Sequence, residues 1–191
     1  MNKFFSFPRF LLLFCSFILV TITTVSCKNE PDAKEAAEDQ NEEVITNDAK
    51  EDDAEFLVDA AALDLKEIEL GKLAAKSANA EVASHGKMMT DAHTTSFNEV
   101  KMLAEQKQIV VPMSIATDQI DEYKDLNDKT GADFDKKYLD IMVDKHEKAV
   151  NEYEEYIRES QDAEIKSWAE KNLATLRGHL DHTKQLHEKL K

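Results

Sequence analysis

The strongest constraint on the fold is the spacing of apolar residues from residue 54 to the C-terminus. Apolar side chains in this part of the chain recur at steps of three and four residues, as one buried face of an α-helix requires. Four glycines and a single proline, Pro112, are the only helix breakers there. The sequence therefore predicts an all-α domain built from long helices.

Capping residues divide this pattern into four long helices. Asn79 and Thr130 are typical N-caps, and a fourth helix is expected to start near Asp162. The connection before Thr130 contains an extended stretch at 109–112 and room for a short helix after Thr117. Two tight turns and one long crossover predict an antiparallel four-helix bundle with a ferritin-like connection pattern. The helices are expected over about residues 54–77, 80–107, 131–159 and 162–191.

The first 27 residues are typical of a bacterial lipoprotein. Basic Lys3 and Arg9 precede an almost unbroken apolar run over 10–22, and small residues then lead to Cys27. This layout predicts a signal peptide over 1–26, and the run is too short for a comfortable membrane span of roughly 20 residues. We expect cleavage before Cys27 and acylation of its thiol, which would anchor the protein to a membrane.

Residues 27–53 are predicted to be a disordered acidic linker that carries the lipidated Cys27. Acidic, amide and alanine residues dominate this segment, and it has few large apolar side chains to offset the entropy of ordering. The formal net charge is −15, and it becomes −17 when Lys3 and Arg9 leave with the signal peptide. Such a surface repels nucleic acid, so nucleic-acid binding is excluded.

Each long helix carries one Glu or His on its apolar stripe, where an apolar residue is expected. Glu67 lies four residues after Leu63, and the other three positions have the same kind of spacing. At a rise of about 1.5 Å per residue, all four lie roughly 20–27 Å from their hairpin turns. One layer or two adjacent layers inside the bundle can therefore hold this set: Glu67, His93, His146 and His179.

Imidazole and carboxylate ligands suit zinc, iron, copper or nickel, and the four residues do not distinguish among these metals. Three acidic residues near the layer are candidate outer partners of the ligands, namely Asp91, Asp144 and Glu147. The alternative is a metal-free network of buried polar groups in a structural or interaction protein of the cell envelope, which would bind an envelope protein. The remaining histidines, His85, His182 and His187, are expected at the surface.

Other chemistry is disfavoured. No glycine-rich phosphate loop occurs, and no cysteine nucleophile remains after Cys27 is acylated. A carboxylate-bridged di-iron site would need Glu-x-x-His on two helices, and none of the inward histidines has a Glu three residues earlier. We therefore expect a binding or structural protein, with an enzyme as the third and least supported alternative.

Five segments in this order resemble the bacterial "predicted outer membrane protein" family, domain of unknown function 4142. They are residues 67–74, 88–93, 131–138, 146–147 and 173–180, and the resemblance extends over about residues 55–189. Family members usually have proline at the position of Ala174, a departure that concerns helix shape and not ligands. The resemblance implies a ferritin-like fold and an outer-membrane address, and it implies no activity.

Overall fold

The computed structural model describes residues 32–190, apart from the side chains of 117–119. The predicted signal peptide and Cys27 lie outside this range. All regular elements within the described range are α-helices. Their bounds are α1 Ala33–Val44, α2 Asp48–Ala74, α3 Ala80–Lys107, α4 Thr117–Asn127, α5 Gly131–Glu159 and α6 Ala163–Lys189. The predicted all-α class is confirmed, and the predicted short helix is α4.

The helix starts follow the predicted caps closely. The Asn79 side chain accepts hydrogen bonds from two amides in the first turn of α3, and Asp162 does the same for α6. Thr130 occupies the N-cap position of α5, but its side chain makes no capping bond within the described part of the chain. Gly131 follows it with a φ of 60°, a conformation that glycine adopts without strain.

Contacts between the helix ends establish the direction of each helix. Ser77, in the turn after α2, donates a 2.6 Å hydrogen bond to Asp135 near the start of α5. Lys107, at the end of α3, lies 2.7 Å from Asp162 in the turn between α5 and α6. The crossover over residues 108–130 therefore runs the length of the bundle, and α3 and α5 point the same way. This is the predicted bundle of two hairpins with one long crossover.

Two glycines allow α2 and α3 to approach closely. A Cβ atom on Gly71 would lie 2.8 Å from the carbonyl oxygen of Gly86, and one on Gly86 would lie 2.6 Å from the amide nitrogen of Ala75. Neither position can carry a larger residue without moving the opposite backbone. The contact lies one turn from Glu67 and brings the two helices together near the polar residues of their cores.

The predicted disorder of residues 27–53 is wrong from Asp32 onward. Residues 33–44 form α1, and α2 begins at Asp48, six residues before the predicted start. The Asn41 side chain accepts a hydrogen bond from the Val110 amide and donates one to its carbonyl, both of 2.8 Å. Ala37 is 2% exposed. Tertiary contacts order this acidic segment, which cannot form a core alone, so its composition wrongly predicted disorder.

Two separate apolar clusters fill the bundle. The first contains Phe56, Val100, Tyr153 and Leu176, and the second contains Leu70, Met89, Tyr138 and Met142. On each long helix the polar residue predicted to point inward falls between the members of these two clusters. None of the helices in residues 32–190 combines the length and apolar character needed to cross a membrane.

Candidate metal centre

The four predicted polar residues meet in one layer between the two apolar clusters. Glu67 and His146 are fully buried, His93 is 2% exposed and His179 is 8% exposed. Helices α2, α3, α5 and α6 each supply one of them. We call these four residues the Glu–His layer. Their helical spacing from apolar neighbours was sufficient to predict their inward direction.

Distances within the layer are short. Glu67 Oε2 lies 2.6 Å from His93 Nε2, and Glu67 Oε1 lies 3.3 Å from His146 Nδ1. One ring nitrogen from each of His93, His146 and His179 lies within 4.8 Å of the other two. The structure therefore brings the predicted residues together, with Glu67 in contact with two of the three imidazoles.

The outer partner of the layer is Asp64, which the sequence argument missed. His93 donates through Nδ1 to Asp64 Oδ1 at 2.7 Å, and Asp64 is 3% exposed. A periodicity signal was available, because Asp64 lies four residues after buried Ala60 and three before Glu67, on the same stripe of α2. A carboxylate that holds the far nitrogen of an imidazole is the usual support for a histidine ligand.

The three predicted outer partners, Asp91, Asp144 and Glu147, are all exposed, so that prediction is wrong. Asp144 lies 3.7 Å from Lys145, and Glu147 lies 2.7 Å from Lys184. Each predicted residue is one or two positions from an inward histidine along its helix. A helix turns by about 100° per residue, so neighbours in sequence point away from the core.

Hydrogen bonds determine which ring nitrogens are available as ligands. His146 Nδ1 lies 3.0 Å from the Met142 carbonyl oxygen, which can only accept, so Nδ1 carries the hydrogen and Nε2 has the lone pair. His93 donates through Nδ1 to Asp64, which leaves its Nε2 toward Glu67. His93 Nε2 and Glu67 Oε2 lie 2.6 Å apart and form a buried ion pair.

The layer consequently holds a concentration of buried polar atoms without hydrogen-bond partners. Such atoms are rare in folded proteins, because each one costs about 1–3 kcal/mol when it is desolvated and left unpaired. Within residues 32–190, six of the nine buried side-chain atoms of this kind belong to Asp64 or to the Glu–His layer. They are Asp64 Oδ2, Glu67 Oε1 and Oε2, His93 Nε2, His146 Nε2 and His179 Nδ1. Among them, Glu67 Oε2 and His93 Nε2 form an ion pair at 2.6 Å, so the cost of an unpaired atom does not apply to these two.

The buried charges shift one another's protonation. Burial by itself would raise the pKa of Glu67, but His146 and His93 lower it to about 2. Burial would lower the pKa of His93, but the Glu67 charge and the bond to Asp64 raise it to about 10. Burial lowers the pKa of His146, and burial with the nearby His93 lowers that of His179 to about 4. The layer thus combines an ionised carboxylate and a cationic His93 with two neutral imidazoles.

His85 is buried, which contradicts its predicted surface position. It is 1% exposed, with Nδ1 2.9 Å from the Tyr138 hydroxyl and Nε2 2.9 Å from Thr183 Oγ1. Thr183 donates its single hydroxyl hydrogen to the His179 carbonyl at 2.7 Å. His85 therefore donates through Nε2 and accepts from Tyr138 through Nδ1. Burial, and next the nearby His182, lowers the pKa of His85 to about 3. We call His85, Tyr138 and Thr183 the His85 network.

The other two histidines, His182 and His187, were also predicted at the surface, and both are more exposed than His85. His182 is exposed, although its ring centroid lies 5.4 Å from that of His85. His187 is half-buried, with Nε2 2.8 Å from Asp140 Oδ1. Neither residue belongs to the Glu–His layer.

Comparison with known proteins identifies a family but no characterised relative. A family model described as "Domain of unknown function (DUF4142)" matches residues 34–186, which include nearly all of α1 and the whole Glu–His layer. No curated protein and no solved structure matches the chain. The matched range begins within α1, in agreement with the ordered start of the fold.

Proposed function

The chain belongs to the DUF4142 family, whose description assigns no activity, so function has to be inferred from the site, and we propose that its Glu–His layer binds a transition-metal ion. His93, His146 and His179 would be the nitrogen ligands, and Glu67 would be the oxygen ligand. The donor set suits zinc, iron, copper or nickel. Asp64 would hold His93 in the orientation that a ligand requires.

The observation that carries this proposal is the set of unpartnered atoms. Two imidazole nitrogens, His146 Nε2 and His179 Nδ1, are buried without hydrogen-bond partners among the described residues, beside a Glu67 carboxylate that is paired with His93 at 2.6 Å. A metal ion would satisfy these atoms together, because each has a lone pair available in a neutral imidazole or an ionised carboxylate. Binding would replace the proton on His93 Nε2 by the metal.

The spacing of the imidazoles is close to what one ion needs. Ligand atoms about 2 Å from a tetrahedral ion lie roughly 3.3 Å apart. The three ring nitrogens lie within 4.8 Å of one another, so the rings would move inward by about an ångström on binding. His179, which is 8% exposed, is the least buried ring of the three.

A metal-free role is the second candidate, and one observation favours it. His93 lies between two carboxylates, 2.7 Å from Asp64 and 2.6 Å from Glu67. A protonated imidazole in this position balances buried negative charge without any metal. The layer would then specify helix register in a structural protein that binds an envelope partner, as in other buried polar networks.

Metal content of the full chain, purified without an affinity tag, tests between these roles. We expect one bound metal ion per chain, and a higher melting temperature when Zn²⁺, Fe²⁺, Cu²⁺ or Ni²⁺ is added. His93→Ala should lose both effects, whereas His182→Ala, at an exposed histidine outside the layer, should retain them. Wild-type protein with no metal and an unchanged melting temperature would support the metal-free role.

We also propose that the protein is a lipoprotein of the bacterial cell envelope, in the outer membrane, acylated on Cys27. The support is the basic start, the apolar run over 10–22 and the small residues that precede Cys27. The N-cap of α1, Asp32, is five residues after Cys27 in the sequence, so the domain would be held near the membrane surface. Mass spectrometry should find acyl groups on Cys27 of the wild type. Release of Cys27→Ser protein from the membrane fraction is expected, and its retention there would contradict the anchor.

A further inference from the structure

An open groove lies between α2 and α5, and we call it the acidic groove. It extends from Asp48 to Leu63 on α2 and from Glu152 on α5 to Gln161 in the turn that follows, and its volume is about 560 Å³. Eight of the sixteen described residues that line it are Asp or Glu, and none of them is Lys or Arg. No residue of the Glu–His layer lines it, so the groove is a separate candidate site.

Most of these acids form one row on each helix. The spacing is four, three and four residues on α2, and three and four residues on α5, so each row lies on one face of its helix. Like charges at these spacings repel each other and destabilise a helix. Because α2 and α5 are antiparallel, the two rows run side by side. They are Asp48, Asp52, Glu55 and Asp59 on α2, and Glu152, Glu155 and Glu159 on α5.

The neighbouring cations neutralise only part of this charge. Asp48, Asp52 and Glu55 have no ion-pair partner within residues 32–190. Three cations that do not line the groove pair with the other four acids, and such surface pairs are weak. The pairs are Lys34–Asp59 at 2.6 Å, Lys148–Glu152 at 3.3 Å, Arg158–Glu155 at 3.7 Å and Arg158–Glu159 at 3.0 Å. The groove therefore has an excess of negative charge that a cationic ligand would balance.

Aromatic rings line the groove beside the acid rows. The rings of Phe56 and Tyr156 stack with centroids 3.8 Å apart, and Tyr153 meets Phe56 edge-on at 4.8 Å. Aromatic rings attract cations and also pack against methylene groups. Acidic rows with aromatic rings between the helices thus suit a ligand that is both cationic and aliphatic.

A buried carboxylate in the groove wall lacks one hydrogen-bond donor. Asp53 is only 9% exposed, and its Oδ1 accepts the Tyr156 hydroxyl hydrogen at 2.5 Å and that of Ser160 at 3.5 Å. Its Oδ2 accepts no hydrogen bond from the described residues. Leaving a buried acceptor unpaired is costly, and an ammonium group would supply a strong donor.

We propose that the acidic groove binds a linear aliphatic polyamine, independently of any metal in the Glu–His layer. Its ammonium groups pair with the acid rows and Asp53, and its methylene segments lie against Phe56 and Tyr156. The row on α2 extends over roughly 16 Å of helix, which suits charges spaced along a chain. A Ca²⁺ or Mg²⁺ ion instead needs its oxygen ligands within about 2.0–2.6 Å of one point.

Titration calorimetry of full-length protein with spermidine, at about 0.1 M salt, tests the proposal. We expect one spermidine to bind per chain. Asp52→Asn combined with Glu155→Gln removes one exposed charge from each row and should weaken binding by about tenfold, the effect of two screened ion pairs. Asp91→Asn combined with Glu170→Gln removes two exposed charges outside the groove and should bind spermidine like the wild type.

A second probe, hexaamminecobalt(III), needs only the wild type. This compact ion has the same charge as fully protonated spermidine, and it should bind several-fold more weakly because it has no methylene groups to bury against the rings. Equal affinity for the two cations, equal weakening in the two double variants, or no binding of spermidine would each overturn the proposal. Metal content depends on the Glu–His layer and should be the same in all three proteins, so the two proposals can fail separately.

Discussion

The Glu–His layer and the His85 network are two groups of buried histidines in one bundle, and they differ in how their polar atoms are paired. His85 and His93 lie eight residues apart on α3, about 12 Å along the helix. Both ring nitrogens of His85 have protein partners at 2.9 Å. In the Glu–His layer, His146 Nε2 and His179 Nδ1 have no hydrogen-bond partner among the described residues, although Glu67 contacts His93 at 2.6 Å and His146 at 3.3 Å.

This difference separates a structural role from a binding role better than burial does. A histidine with both nitrogens paired has no lone pair to offer, so the His85 network contributes to the stability of the bundle and cannot bind a ligand. Unpaired buried atoms destabilise a fold, and they are tolerated where something else completes them. The predictions below test whether the two groups divide in this way, from the largest expected effect to the smallest.

Glu67→Ala should destabilise the metal-free protein by about 3–5 kcal/mol, because it leaves the cationic His93 without one of its two buried carboxylates. Urea unfolding of metal-free protein measures this change. Glu69→Ala, on the exposed side of the same helix, is the matched control and should change stability by less than about 1 kcal/mol. Equal effects of the two variants would show that the layer does not couple to folding.

His146→Ala should reduce metal affinity by about 100-fold or more, since it removes a direct ligand and changes in outer partners alone cost 10–100-fold. His85→Ala should leave affinity within a few-fold of wild type, although it removes an equally buried histidine. Competition of each purified variant with a metal chelator gives the affinities. If both variants lose metal equally, the division between the two groups is incorrect.

Acid should destabilise the protein through His85. Its pKa is about 3 in the fold, against an ordinary histidine pKa of 6.5, so between these values the unfolded chain binds the extra proton and stability falls as the pH falls. At 1.36 kcal/mol per unit, the loss from pH 6.5 to pH 5 is roughly 2 kcal/mol. His85→Gln should remove this part of the slope in urea unfolding at several pH values. A slope that the substitution does not change would place the acid sensitivity elsewhere.

Asp64→Asn should weaken metal binding by at least about tenfold, because an amide holds His93 less firmly than a carboxylate. It preserves side-chain volume, so its effect on folding should be smaller than that of Glu67→Ala. The same chelator competition measures the affinity. Asp91→Asn changes an exposed carboxylate and is the control. An equal loss of metal affinity in that variant would mean that Asp64 does not support His93 as a ligand.

Tyr138→Phe should cost about 1–3 kcal/mol, because it removes the donor to His85 Nδ1 and leaves that buried acceptor unpaired. Metal affinity should stay as in the wild type, since no layer residue loses a partner. Thermal unfolding and chelator competition on the same sample give both quantities. A large loss of metal would mean that the two groups are coupled through Thr183, which bonds to the His179 carbonyl.

Local sequence patterns were sufficient for most of the fold. Asn79 and Asp162 sit at the helix starts because short polar side chains satisfy free amides, a property of the sequence within three residues. The inward direction of Glu67 and His146 followed from helical spacing alone. Asp64 and buried His85 were missed, although both occupy positions with helical spacing to buried neighbours, because polar residues on a helix are usually solvated.

The order of α1 depends on information that no local pattern contains. Residues 33–44 are acidic and poor in large apolar side chains, yet Asn41 pairs with the backbone of Val110, 69 positions away. Composition measures what a segment can bury by itself, and it does not include a surface supplied by the crossover. The predicted linker was therefore too long, because α1 starts at Ala33 with Asp32 as its N-cap.

The sequence by itself determined the helices, their caps and the inward direction of one acid and three histidines, because these follow from a 3.6-residue period and from hydrogen bonds within a turn. Tertiary structure alone decided that the four residues meet at one depth. It also decided that Asp64 hydrogen-bonds to His93. Both ring nitrogens of His85 have hydrogen-bond partners in the structure, whereas ring nitrogens of His146 and His179 do not. Pairing between helices depends on the relative position and rotation of separate helices, which packing at contacts such as Gly71 with Gly86 establishes.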